Sequence, residues 1–269
     1  MKLKNINIKE RMKHYNVPGL SITLIAHGQI SGTKNYGLLE VGSDKNVNKD
    51  TIFNACSISK FLTGMLVMKL TEQGLLDLDQ DVNKSHLSWK VPENQLTKNK
   101  KVTLRNLLSH QSGIIDPENS FAELNSAAGF PSMIELLEGK TIYCKSPIEV
   151  KYEPESEFHY SDAGFCIIQQ LIEDVTERPF HRVVNELIFE PLRMKNSKIY
   201  TTMLPKKNIK YHLSISICDK QDLSWQRVVK KMLIIINDAP IVALCPTNSE
   251  FNQYFYKTGW KLQEQKKEF

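Results

Sequence analysis

The spacing of apolar residues predicts a β-hairpin followed by a series of helices. Apolar and polar positions alternate over 20–26, and after a His27-Gly28 turn a second extended segment covers 29–37, which is typical of two antiparallel strands. Elsewhere apolar residues recur at helical spacing, and Thr103 and Gly74 stand where helix caps are expected. This spacing predicts helices over residues 6–15, 57–74, 102–110, 163–176 and 179–188.

The same pattern predicts one domain rather than several. No repeat and no Pro/Gly/Ser-rich linker interrupts residues 1–205, so we expect these residues to form a single domain. After Pro205 the apolar pattern becomes irregular. We therefore expect residues 206–269 to be a divergent or truncated remainder of the same domain.

Composition narrows the class of protein and its partners. With 41% apolar and 24% charged residues, the 269-residue chain has the composition of a globular protein. Its net charge of +5 comes from lysines that are scattered rather than gathered into a stripe, which argues against a nucleic-acid partner. Five cysteines without a Cys-x-x-Cys pair argue against both a disulfide framework and a zinc site.

The distribution of apolar residues also bears on location. The N-terminus has no apolar core typical of a signal peptide. The longest apolar run, residues 232–236, is far shorter than the ~20 residues that a membrane-spanning helix needs. We therefore expect no membrane span and a cytoplasmic location, although loss of a leader would leave the same pattern in an extracytoplasmic protein. The oligomeric state is left open.

The first candidate catalytic residues are Ser57 and Lys60. On a helix, residues i and i+3 share a face, so the hydroxyl and the amine would lie within reach of each other. A serine hydroxyl needs a base to become a nucleophile, and burial would lower the lysine pKa enough for it to serve. The alternative is a capping serine beside an exposed lysine. Phe61 follows Lys60 directly and opens an apolar run, which favours the catalytic interpretation.

Several ordered motifs extend this interpretation to a family. The chain from about residue 17 to 200 resembles the serine β-lactamase and penicillin-binding-protein-like hydrolases, specifically the class C β-lactamase/esterase branch. The resemblance rests on residues 17–21, 53–60, 72–79, 102–113 and 191–197. It implies an α/β (α+β) fold, an antiparallel sheet flanked by helices with an all-helical region. It also implies an acyl-enzyme on Ser57, formed from a small-molecule or peptide substrate (an ester, a D-alanyl peptide or a β-lactam) without metal or organic cofactor.

A second motif follows from the resemblance. Tyr160-Ser161-Asp162 matches a Tyr-x-Asn element, in which Tyr160 would pass the proton to the leaving group and Asp162 would bind substrate. Ionised Asp accepts hydrogen bonds but donates none, which weakens a β-lactamase assignment more than an esterase or peptidase one. The alternatives are a buried aromatic side chain for Tyr160 and a helix cap for Asp162. A Ser57–His110–Asp116 triad has no support from spacing.

The third family motif is matched in this chain by residue identity but not by its surroundings. Lys257, Thr258 and Gly259 have the right identities, but residues 249–256 have the pattern of a capped amphipathic helix instead of a strand. We therefore expect a coincidental match and a truncated chain that lacks C-terminal strands. The alternative function is accordingly a catalytically inactive family member with a binding or scaffold role.

Overall fold

The structure is a computed structural model. It describes residues 7–26, 29–39, 41–51, 53, 55, 57–85, 88–121 and 131–199. Contacts divide the described chain into two compact units, one ending at Ser59 and the other beginning at Lys60. The predicted change of character after Pro205, and the Lys257-Thr258-Gly259 motif, lie outside the described residues.

The first unit consists of a short helix and a β-hairpin. Helix α1 spans Ile8–His14, and the side chain of Asn7 caps it by accepting a hydrogen bond from the Glu10 N–H. Strands β1 (Gly19–Ala26) and β2 (Gln29–Gly37) pair antiparallel. The predicted hairpin and N-terminal helix are therefore confirmed.

The second unit is helical. Its helices are α2 (Ile58–Glu72, which enters this unit at Lys60), α3 (Leu104–Leu108), α4 (Met133–Leu137), α5 (Asp162–Thr176) and α6 (Phe180–Val184). The segment Asn185–Phe189 continues α6 with π-helical geometry, and two 3₁₀ turns lie at Val82–Lys84 and Gln95–Thr97. The predicted cap of α3 at Thr103 is confirmed, because the Thr103 hydroxyl accepts a hydrogen bond from the Asn106 N–H.

One apolar core holds these helices together, and α5 lies at its centre. Helix α5 contacts α3, α4 and α6, and its buried face packs with that of α2 in the same core. Burial of these aliphatic side chains is the main stabilising contribution to such a unit. The fully buried members on these two helices are Leu66, Val67, Leu70, Ala163, Ile167, Ile168, Leu171 and Ile172. Within the described ranges, no helix is both long and apolar enough to span a bilayer.

Candidate active site

The first turns of α2 and α5 meet at an ion pair. Lys60 lies on the first turn of α2, and Asp162 is the first residue of α5. The Lys60 Nζ lies 2.5 Å from the Asp162 Oδ1. The Lys60 side chain is only 18% exposed, whereas that of Asp162 is 42% exposed. The alternative of an exposed lysine is therefore wrong.

Two aromatic rings complete the surroundings of the ammonium group. The Lys60 Nζ lies 4.9 Å from the centre of the Tyr160 ring and 5.5 Å from that of Phe165, distances at which a cation is attracted to a ring face. Tyr160 also hydrogen-bonds to the ammonium group. Three of the four predicted site residues, Lys60, Tyr160 and Asp162, are thus brought together in the second unit.

Ser57 lies in the turn that leads directly into α2. The N–H of the next residue, Ile58, donates to the Ala55 carbonyl at 2.9 Å, and the Ser57 side chain is partly buried. Ser57 belongs to the first unit and Lys60 to the second. The predicted pairing of Ser57 with Lys60 stays a prediction that rests on their spacing in the sequence.

The charge state of Lys60 differs from the sequence-based expectation. Burial alone lowers the pKa of the Lys60 ammonium group, as expected, but the attraction and hydrogen bond of Asp162, together with the hydrogen bond of Tyr160, outweigh burial. The net result is a Lys60 pKa above its usual value. Lys60 is therefore protonated at neutral pH, and only a small neutral fraction is available to act as a base.

The start of α5 is fixed by two residues from the loop after α3. The Ser161 hydroxyl caps the helix by accepting from the Gly164 N–H at 3.0 Å, so the alternative of Asp162 as the cap is wrong. His110 Nδ1 accepts from the Ser161 N–H at 3.1 Å, and the Asp116 carboxylate accepts from the Ser161 hydroxyl at 2.9 Å. Through these contacts His110 and Asp116 hold the start of α5 in place. None of the contacts favours a Ser57–His110–Asp116 triad.

His110 is held neutral among aromatic rings. Its ring centre lies 4.4 Å from that of Tyr160 and 5.4 Å from that of Phe165. Burial, reinforced by the nearby Lys60 charge and only partly opposed by Asp162, lowers the pKa of His110 to about 4. Because Nδ1 accepts the Ser161 N–H, the single ring proton of neutral His110 is on Nε2.

We expect acid to destabilise the fold through His110, and we expect His110→Asn to remove that effect. Unfolded His110 takes up a proton near pH 6.5, whereas folded His110 resists it down to about pH 4. Stability is therefore lost as the pH falls through this window, by about 3 kcal/mol for a shift of this size. Asparagine keeps an acceptor and tolerates the left-handed backbone at this position, φ 57°.

The measurement is the free energy of urea unfolding between pH 4 and 7 for both proteins. The unfolding free energy of His110→Asn should fall less steeply with decreasing pH than that of the unmutated protein, because the two proteins differ only in the titrating group at position 110. Equal slopes for the two proteins would contradict the assignment.

A cleft of about 620 Å³ opens beside Lys60. Lys60 and His110 lie in a lining that is otherwise apolar, formed by Phe61, Gly64, Met65, Met68, Leu108 and Phe165. Such a lining suits apolar parts of a ligand next to one charged group. Among the residues that the structure describes, no three His, Cys, Asp or Glu side chains are grouped so that they could hold a metal ion.

The sequence did not reveal Asp116 as part of this arrangement. It contacts Ser161, 45 positions later in the chain, and no periodicity relates residues so far apart. His110 lies within residues 102–113, one of the segments on which the family resemblance rests, but its contact with Ser161 is equally long-range.

Comparison with known proteins identifies the family. The family model described as Beta-lactamase matches residues 6–211. Protein flp of Staphylococcus aureus (strain N315) is 25% identical over 196 residues, which cover 72% of this chain and 37% of that protein. Unguisins hydrolase ungD' of Aspergillus campestris is 26% identical over 200 residues, covering 71% of this chain and 35% of that protein. The chain thus spans little more than a third of the length of these relatives.

Solved structures show the same fold. A β-lactamase/D-alanine carboxypeptidase from Yersinia pestis superposes with a TM-score of 0.61 at 18% identity, covering 76% of this chain and 56% of that one. The octameric penicillin-binding protein homologue from Pyrococcus abyssi gives a TM-score of 0.57 at 25% identity, with 74% and 47% covered. The chain belongs to the Beta-lactamase family and has the β-lactamase/transpeptidase-like fold.

Proposed function

We propose that this protein is a serine hydrolase that forms an acyl-enzyme on Ser57, with Lys60 as the base and Tyr160 in the proton path. The observation that carries the proposal is the convergence of Lys60, Tyr160 and Asp162 at the start of α2, where Ser57 directly precedes the helix. The substrate class is an ester, a D-alanyl peptide or a β-lactam.

The proposed reaction follows the usual order of acyl transfer. The Ser57 oxygen attacks the substrate carbonyl carbon while its proton passes to neutral Lys60 Nζ. The carbonyl–leaving-group bond then breaks, and the leaving group takes a proton delivered through Tyr160. Water then attacks the acyl carbonyl carbon, the bond from that carbon to the Ser57 oxygen breaks, and a proton from the water restores the Ser57 hydroxyl as the acid leaves. The cycle consumes one water molecule and needs no redox partner.

Two findings support a hydrolase. The family match covers most of the described chain, and one relative is a hydrolase by name, the unguisins hydrolase. The Asp162 carboxylate favours an ester over a β-lactam, because it donates no hydrogen bond to an amide carbonyl. The predicted single domain over 1–205 and the cytoplasmic location stay predictions.

One observation favours the alternative of a catalytically inactive member. The Asp162 carboxylate keeps Lys60 protonated, and a protonated lysine accepts no proton from Ser57. In that case the site would bind a ligand without turning it over. The two functions differ in whether Ser57 becomes acylated.

Labelling of Ser57 separates them. We expect a fluorescent fluorophosphonate, or a fluorescent penicillin, to label the protein at pH 8–9, with the label mapping to the peptide that contains Ser57. Ser57→Ala should abolish labelling, whereas Ser59→Ala, a matched change two residues away, should retain it. An unlabelled protein, under conditions where a related hydrolase is labelled, would overturn the proposal; so would label on Ser57→Ala.

A further inference from the structure

The Asp116 carboxylate binds three consecutive residues at the start of α5. Its Oδ1 accepts from the Ser161 hydroxyl and from the Ala163 N–H, both at 2.9 Å. Its Oδ2 accepts from the Asp162 N–H at 3.0 Å. Both oxygens of one side chain therefore fix the backbone that carries Asp162, and ionised carboxylates make stronger hydrogen bonds than neutral acceptors.

His110 holds the residues on either side of Tyr160 from the same loop. The His159 N–H donates to the His110 carbonyl at 2.8 Å, and the Ser161 N–H donates to His110 Nδ1 at 3.1 Å. With Asp116, these bonds hold residues 159 and 161–163 in place, so that the backbone on both sides of Tyr160 is fixed.

We infer that Asp116 is a positioning residue that sets the placement of Tyr160 and Asp162 against Lys60. The inference rests on the proposed function and extends it to a residue whose carboxylate binds Ser161, Asp162 and Ala163 at the start of α5. The effect is geometric: a misplacement of about 1 Å of Tyr160, the group proposed to carry the proton, costs on the order of 100-fold in rate. Asp116 acts on the reaction through the start of α5.

Asp116→Asn is the informative change because it keeps the shape and removes the matching acceptor. Both oxygens of the Asp116 carboxylate accept hydrogen bonds, but an asparagine amide has only one oxygen. Its NH₂ group would therefore face a hydroxyl or N–H donor, to which it cannot bond as an acceptor. We expect the start of α5 to shift. The maximal rate of fluorophosphonate labelling at Ser57 should fall about 10- to 100-fold, while the half-saturating probe concentration changes less than about threefold.

Asp174 provides a matched control on the same helix. Its carboxylate also accepts three hydrogen bonds, from the Ser88 N–H, the Ser88 hydroxyl and the Gln170 amide. Twelve residues of helix separate it from Asp162, about 18 Å along the axis. Asp174→Asn should lower the melting temperature comparably to Asp116→Asn but leave the labelling rate within about twofold of the unmutated protein.

A second readout keeps the inference separate from the proposed function. Hydrogen–deuterium exchange of the peptide covering 158–165 should speed up at least about tenfold in Asp116→Asn and stay unchanged in Asp174→Asn. If the unmutated protein is not labelled at all, the proposed function fails and the exchange result decides the inference. Unchanged exchange and labelling in Asp116→Asn, or an equal loss of labelling in both variants, would overturn it.

Discussion

Replacing Asp162 by asparagine is expected to move the pH dependence of Ser57 acylation to lower pH and to raise its rate at neutral pH. The Asp162 carboxylate 2.5 Å from Lys60 Nζ is the main force that opposes burial and holds the Lys60 pKa above its usual value. An amide removes that charge, and burial then lowers the pKa. Below the Lys60 pKa, each unit of decrease multiplies the neutral, basic fraction by about ten.

The measurement is the rate of fluorophosphonate labelling at Ser57 between pH 6 and 10. Glu72→Gln is the matched control, because it removes a carboxylate from an ion pair with Lys69 on the same helix, in which both side chains are largely exposed. That variant should retain the profile of the unmutated protein. An unmoved profile in Asp162→Asn, or a lower rate at every pH, would contradict the role given to the Lys60–Asp162 pair.

The result also bears on the choice between an active and an inactive protein. A gain of labelling in Asp162→Asn would mean that Ser57, Lys60 and Tyr160 are competent and that Asp162 limits the base at neutral pH. Such a protein would be a hydrolase whose activity increases with pH. Absence of labelling in both proteins at every pH would favour the inactive alternative.

The fold was predictable where it depends on local pattern. The hairpin β1–β2 and helices α2 and α5 follow from period-2 and period-3.6 spacing over eight or more residues. Helix α4 was not predicted: like α3 it has only five residues, but no family motif covers it, and its one local signal is the Ser132–Glu135 capping box. The π-helical continuation of α6 at Asn185–Phe189 has the same apolar spacing as an ordinary helix.

The site was predictable in its residues but not in its electrostatics. Lys60, Tyr160 and Asp162 were identified from motifs, and the structure brings them together. The direction of the Lys60 pKa was predicted wrongly, because burial was considered without the partner 102 positions away that opposes it. Contacts at such separations depend on packing of α2 and α5 in one core, which no local pattern specifies.

Gly113→Ala is expected to destabilise the second unit strongly. Gly113 has φ 76°, and a Cβ there would lie 2.0 Å from the Tyr152 carbonyl oxygen. The backbone has little freedom to withdraw, since the Gly113 carbonyl accepts from the N–H groups of Lys151 and Tyr152. The left-handed conformation and the clash together should cost about 3 kcal/mol or more.

Gly74→Ala separates the two causes of that loss. Gly74 has almost the same φ, 74°, but nothing lies within 4 Å of the position its Cβ would take, so this variant should lose only the conformational part, about 1 kcal/mol. Urea unfolding of both variants measures the difference, and equal losses would show that the close approach at Tyr152 is unimportant.

Because Gly113 lies between His110 and Asp116 in one loop, its replacement should also release the start of α5. Hydrogen exchange of the 158–165 peptide should therefore rise in Gly113→Ala and not in Gly74→Ala, which ties the backbone of this loop to the placement of Tyr160.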